Sequence, residues 1–321
     1  MAKILETVLL LALPASGKSE VRRYLHHLSP AQCRDEFHMG PTVQLDDYPY
    51  VHLMRCIDDA LAELGKPRPF FHAADKPFQD PHDWGTLIEL VNEDYADLVA
   101  KRVATAASAA EHAFARIDRA SRLAGARARL AELDEGTRRA LAQKLEGEAK
   151  KQLDEKHAGY PDTLEGKTLV VEFARGGPQG SSLPLPAPFG YQWSLARLAK
   201  PMLETATILY VWVEPEESRR KNFARTDPND PGSILNHGVP IDVMLNDYGV
   251  DDMTWLEAHA RKPGTVPVEA HGVAFDVPIA RFDNRVDKTS FLRGAQADWK
   301  PEEVKAVHDG LKAGFERLAK G

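Results

Sequence analysis

Two kinds of hydrophobic pattern alternate along the chain. Val8-Leu9-Leu10-Leu11 is an unbroken apolar run, as a strand covered on both faces requires. It is followed by Val21, Tyr24, Leu25 and Leu28 at the i, i+3, i+4, i+7 spacing of a helix with one buried face. Further strands are expected at Thr42–Leu45, Leu169–Phe173, Thr207–Val213 and Val273–Phe282, mostly from their β-branched and aromatic residues. Tyr191–Leu203 reads as a helix, and another begins at Pro215 with Glu216 and Glu217 in its first turn. A last helix after Pro301 aligns Val304, Val307, Leu311, Phe315 and Leu318 on one face. Strands that alternate with helices pack as a mainly parallel sheet between two helical layers, a three-layer α/β/α architecture.

One stretch breaks the alternation. From Asn92 to His157 proline disappears and Ala, Glu, Arg, Lys and Leu dominate, the makeup of long exposed helices, with a break at Asp134-Glu135-Gly136. The expected organisation is a core of residues 1–91 and 164–321 carrying a helical hairpin inserted at 92–163. A lid, a homodimer contact and a plain spacer are all compatible with such a hairpin.

Composition narrows the function classes. The 321 residues are 43% hydrophobic and 28% charged, with no run approaching the ~18 apolar residues of a membrane span. A net charge of −7 provides no global positive field for a nucleic-acid backbone, so a small ligand is expected instead. The cysteines, Cys33 and Cys56, lack metal or CxxC spacing and suit a reducing, cytoplasmic setting. The histidines nowhere form the His-x-x-x-His pair of a helical zinc site.

The candidate chemistry begins where the first strand meets the first helix, at Ala12-Leu13-Pro14-Ala15-Ser16-Gly17-Lys18-Ser19. In a loop of this kind the backbone N–H groups and the helix N-terminus converge on phosphate oxygens. Lys18 would reach the β- and γ-phosphates, and the Ser19 hydroxyl would ligate Mg²⁺. Alanine stands at Ala12, the first glycine position of the written pattern. It tolerates close approach there but is strained wherever φ must be positive.

Other candidates sit at strand ends, where open α/β sheets bind ligands. Asp46 and Asp47 would orient a hydroxyl, a base or a Mg²⁺-bound water, or else form a solvated turn. Glu172 would hold the metal's hydration shell, and Arg175 would grip an acidic or phosphorylated ligand, or else pair locally. Arg219, Arg220, Lys221 and Arg225 form a candidate phosphate clamp, against which stands i,i+4 pairing of Glu216 with Arg220 and Glu217 with Lys221. Asn284 and Arg285 follow the last strand, in place to meet a base or ribose. The aromatic-rich segment 66–86 would line an acceptor pocket or pin itself to the core, and Asp227–Gly232 would be a connection able to close over substrate.

Taken together, these residues resemble the phosphate-loop (Walker A) NTPase superfamily and, within it, the nucleoside and nucleotide kinase-like branch. The 12–18 segment looks like that branch's G-x-P-G-x-G-K form, with alanine at two glycine positions and Pro14 retained. The resemblance implies a P-loop NTPase fold, ATP and Mg²⁺ as cofactors, and transfer of the γ-phosphate to a small nucleoside- or sugar-like acceptor. It places ATP on Leu13, Pro14, Ala15, Ser16, Gly17, Lys18 and Ser19, with Asn284 and Arg285 on the adenine side, and Mg²⁺ on Ser19 and Glu172. Asp46 or Asp47 becomes the base, Arg175 the acceptor clamp, and Arg219, Arg220 and Arg225 a lid over the phosphates. Two further readings stay open: an ATPase or switch that signals to a protein partner through the hairpin, and a decayed loop that binds no nucleotide.

Overall fold

A computed structural model describes residues 3–225 and 238–320. The side chain of Arg225 and the turn-rich segment Asp227–Gly232 lie outside the described residues. Strands β1 (Thr7–Leu11), β2 (Thr42–Asp46), β3 (Thr168–Phe173), β4 (Ala206–Trp212), β5 (Thr265–Ala270) and β6 (Val273–Asp283) form one sheet in the order β2-β3-β1-β4-β6-β5. Every pairing is parallel except that of β5 with β6. Helices α1 (Lys18–His27) and α2 (Pro30–Phe37) follow β1. Between β2 and β3 come α3 (Tyr48–Glu63), α4 (Asp83–Ala100), α5 (Ala109–Ala124) and α6 (Glu135–Ala158). Next, α7 (Gly190–Leu195) and α8 (Lys200–Thr205) lead to β4, and α9 (Pro215–Arg225), α10 (Ile241–Asn246) and α11 (Met253–Ala258) lead to β5. Helix α12 (Pro301–Lys320) follows β6.

Alternation along the strands builds a core on each face of the sheet. Val8 and Leu10 of β1 pack with Val21 and Tyr24 of α1 and Leu311 and Phe315 of α12. Leu9 and Leu11 face the other way, onto Ile88 and Val91 of α4 and Leu195 of α7. Burying each such leucine is worth about 1.5–3 kcal/mol, which is why β1, wholly buried between two neighbours, reads as a continuous apolar run. The chain leaves β1 toward β2 on one side and leaves β4 toward β6 on the other. Directions therefore diverge at the carboxyl end of β1, where open α/β sheets leave a crevice.

The helical part is larger than the proline-free stretch that announced it. Helix α4 runs unbroken from Asp83, so the expected boundary at 92 falls inside it. Phe114 and Ile117 of α5 and Leu141 and Leu145 of α6 share one core with Leu53 and Ile57 of α3 and Leu87 of α4. The expected helix Tyr191–Leu203 is two short ones, because Pro201 in the first turn of α8 has no N–H and starts a new segment. Strand β5 carries a proline, Pro267, which masks its alternation and is tolerated because β5 pairs with β6 alone at the sheet edge. Among the described residues no helix is long and apolar enough to cross a membrane.

Candidate functional site

The turn from Ala12 to Gly17 is buried at the diverging carboxyl end of β1. Gly17 caps α1 at φ 107°, and Ala15 lies at φ 54°, so two left-handed residues separated by one turn the chain back on itself. Such alternation points successive N–H groups into one concavity. Among the described residues, the backbone N–H groups of Ala15, Ser16, Gly17 and Ser19 find no acceptor in the protein, and the buried Ser16 hydroxyl has no partner. Burying donors without partners is costly, so the turn is held open by contacts on its outer side. Ser218 Oγ of α9 donates to the Pro14 carbonyl at 2.7 Å. Asn284 Nδ2, just past β6, donates to the Ser16 carbonyl at 2.6 Å and to Thr289 Oγ1 at 2.9 Å. Lys18 Nζ lies back along the turn, 3.2 Å from the Ala12 carbonyl.

The alanines behave differently from each other. Ala12 keeps ordinary backbone geometry, whereas Ala15 occupies the left-handed region at a cost of about 1–2 kcal/mol. Gly17 has no such latitude, because a Cβ there would lie 2.5 Å from Thr289 Oγ1 and 2.8 Å from Asn284 Nδ2. Gly17→Ala is therefore expected to lose about 2–5 kcal/mol of stability from strain and overpacking, read by urea unfolding.

The acids stand beside the turn. Asp46 and Glu172 are register partners at the ends of the adjacent strands β2 and β3. Burial, with Glu172 and Asp47 close by, pushes the Asp46 carboxyl up to about 7. Its Oδ1 accepts from the Tyr48 N–H at 2.8 Å. Glu172 meets Arg22 of α1, with Oε2 3.2 Å from Nε. Asp47 is turned elsewhere, accepting from Arg175 Nη1 at 2.6 Å. That arginine, 2% exposed, also donates to the Trp84 carbonyl at 3.1 Å. Arg175→Ala would strand the Asp47 carboxylate in the interior and is expected to cost about 3–5 kcal/mol in urea unfolding.

These groups open into a cleft of about 390 Å³. Pro14 to Ser19, Asp46, Asp47 and Glu172 line one half; Arg55, Phe71, Phe78, Trp84, Asp247 and Tyr248 line the other. The structure thus gathers the turn, the acid pair and Glu172, and puts part of the 66–86 aromatic segment in the same cleft. Phe71, Phe78 and Trp84 line the cleft and also belong to the helical core, which pins the segment there.

The cations are placed otherwise than expected. Arg175 is not in the cleft wall but behind it, holding Asp47. Arg219 and Arg220 pair with Glu216 and Glu217 at i,i+3, not i,i+4, and neither lines the cleft. Lys221 is buried against Asp287 at 2.9 Å, with Asn284 O at 3.5 Å. Asn284 itself is fully buried as a strut for the turn, while Arg285 pairs with Asp283 and lies 3.7 Å over the Trp212 ring. Among the described residues no three His, Cys, Asp or Glu side chains form a metal-ligand group, so Ser19 and Glu172 would need oxygens of another molecule to complete a Mg²⁺ shell.

Several site residues carry no local sequence signal. Ser218, Thr289, Arg22 and Asp247 are single polar residues whose importance comes only from long-range packing. The comparison with protein-family models, curated proteins and solved structures found no match for this chain.

Proposed function

We propose that the protein is a P-loop NTPase of the nucleoside and nucleotide kinase-like type, an ATP- and Mg²⁺-dependent phosphotransferase acting on a hydroxyl of a small molecule. The observation that carries this is the set of unengaged N–H groups at Ala15, Ser16, Gly17 and Ser19, at a helix N-terminus with Lys18 beside them and a cleft in front. Donors left unpaired inside a protein call for an acceptor from outside, and a polyphosphate supplies several. The residues fit such a ligand. The turn would hold the phosphates, Lys18 would add its charge, Ser19 would ligate Mg²⁺, and Glu172 would hold the metal's water. Bound Mg²⁺-ATP supplies the phosphoryl group and neutralises charge on it.

Asp46 takes the base role in this reading. Its carboxyl is raised toward neutrality by burial and lies in the cleft wall, whereas Asp47 is committed to Arg175. Arg175 becomes a positioning residue for the acid pair. Arg219 and Arg220 keep a lid role only by leaving their glutamate partners.

A second reading, an ATPase or ATP-dependent switch that signals to a protein partner, draws on one chain of contacts. Tyr50, in the first turn of α3 just after the acid pair, joins Asp94 of α4 and Arg116 of α5 by hydrogen bonds. The two readings part in one experiment: incubation with Mg²⁺-ATP and a pool of small hydroxylated compounds, followed by ³¹P NMR. The phosphotransferase yields a new phosphate monoester, and inorganic phosphate alone leaves the ATPase.

A further inference from the structure

We infer that the half of the cleft beyond Asp46 is a subsite for a polyhydroxylated, non-aromatic ring, a sugar or cyclic polyol, whose adjacent hydroxyls are read by Asp247, Trp84 and Arg55. The inference rests on the phosphotransferase reading and names its acceptor class. Asp247 is 5% exposed, yet its Oδ2 has no hydrogen-bond partner, and among the described residues no cationic group lies within 4.0 Å of it. Beside it the Trp84 indole N–H, on a residue also 5% exposed, faces the Asp247 carboxyl without reaching hydrogen-bond geometry. A donor and an acceptor that face each other short of a formed bond are bridged by a hydroxyl, which accepts from Trp84 and donates to Asp247 at once. Across the same wall Arg55 donates to the Ala74 carbonyl at 2.6 Å and makes no ion pair among the described residues, leaving other N–H groups for a second oxygen.

The aromatic wall argues against a flat heterocycle. One face of Phe71 carries the Arg55 guanidinium at 3.9 Å, and its ring stacks on Phe78 at 4.4 Å. Phe78 meets Trp84 edge to face at 4.9 Å, and Trp84 carries Arg175 at 5.0 Å. A nucleobase gains most from stacking between open ring faces, and Phe71 spends both of its faces, and Phe78 and Trp84 one each, on protein partners. What they offer a ligand is apolar rim and one N–H. A hydroxylated ring matches that combination, with C–H groups against the rims and O–H groups on Asp247, Trp84 and Arg55.

Bound there, the acceptor directs one hydroxyl at Asp46. In the transfer that hydroxyl gives its proton to the Asp46 carboxylate, its oxygen bonds the γ-phosphorus of ATP, and the bond from that phosphorus to the β–γ bridging oxygen breaks. The electron pair leaves with ADP, and the products are ADP and a phosphate monoester.

The test pairs ³¹P NMR with thermal unfolding. Wild-type protein is given Mg²⁺-ATP with either a pool of pentoses, hexoses, pentitols and inositols or a pool of nucleosides. A monoester is expected from the first pool and not from the second. Asp247→Asn and, independently, Trp84→Phe are expected to raise KM for that acceptor at least tenfold with a smaller change in kcat, while stabilisation by Mg²⁺-ADP persists. A monoester from nucleosides alone, no monoester from either pool, or an unchanged KM in both variants overturns the inference whenever wild-type protein is stabilised by Mg²⁺-ADP. Absence of that stabilisation overturns the phosphotransferase reading beneath it.

Discussion

Lys18→Ala is expected to abolish the response of the protein to nucleotide. A ligand present at about 100 times its Kd stabilises the form that binds it by about 2.7 kcal/mol, roughly 4 °C in a chain of this size. Wild-type protein with Mg²⁺-ADP should show that shift, and the variant should show less than about 1 °C, because the ammonium is the one cationic side chain of the turn. Phosphoryl transfer should fall by about 10²-fold or more, as when a group facing developing charge is removed. Lys18→Arg should recover little, since a planar fork cannot replace a compact ammonium in a closed turn. Differential scanning fluorimetry on the three proteins decides it. An equal shift in Lys18→Ala would remove the turn from the account.

Asp46→Asn is expected to part activity from stability. Loss of a general base costs about 10²–10⁴-fold in rate. For wild-type protein kcat/KM should rise about tenfold per pH unit below about 7 and level above it. Stability runs the other way. Burial raises the folded-state carboxyl to about 7 from its usual 3.8, so between those values the native state binds more protons than the unfolded chain, and stability falls as pH rises through that window. Asp247, raised to about 7 by burial, adds to the same decline. Replacing Asp46 by the neutral isostere removes its share, so at pH 8 the variant should gain about 2–4 kcal/mol over wild type, relative to the comparison at pH 4. Urea unfolding at the two pH values measures the difference. An activity loss with no such gain would mean that Asp46 is hydrated and not the poised base.

The central parallel strands β1, β3 and β4 were legible because each is buried on both faces, which imposes apolar runs such as Leu9-Leu10-Leu11 and Ile208-Leu209-Tyr210. The edge strand β5 was not, since Pro267 interrupts its pattern at a position the edge permits. The turn and the acid pair were legible because they sit next to strand ends and their spacing is local. The cations were not. Whether Arg175 faces a ligand or Asp47, or Lys221 meets Glu217 or Asp287, depends on residues 66 to 128 positions away in sequence, as does the strut from Asn284 to Ser16 at a distance of 268. Local pairing rules give i,i+3 and i,i+4 equal standing, and α9 uses i,i+3 for both arginines. Asp247 had no signal at all: one aspartate beside a tyrosine becomes notable only when folding brings it to Trp84.

The most direct test of the central claim is a ¹H–¹⁵N NMR titration of the labelled protein with Mg²⁺-ADP, following the amides of Ala15, Ser16, Gly17 and Ser19. Those amides have no acceptor within the described protein, so each proton should move downfield on receiving a phosphate oxygen, saturating with a single Kd shared by the thermal shift. Unmoved amides at saturating nucleotide, or shifts confined to residues elsewhere in the sheet, would contradict it.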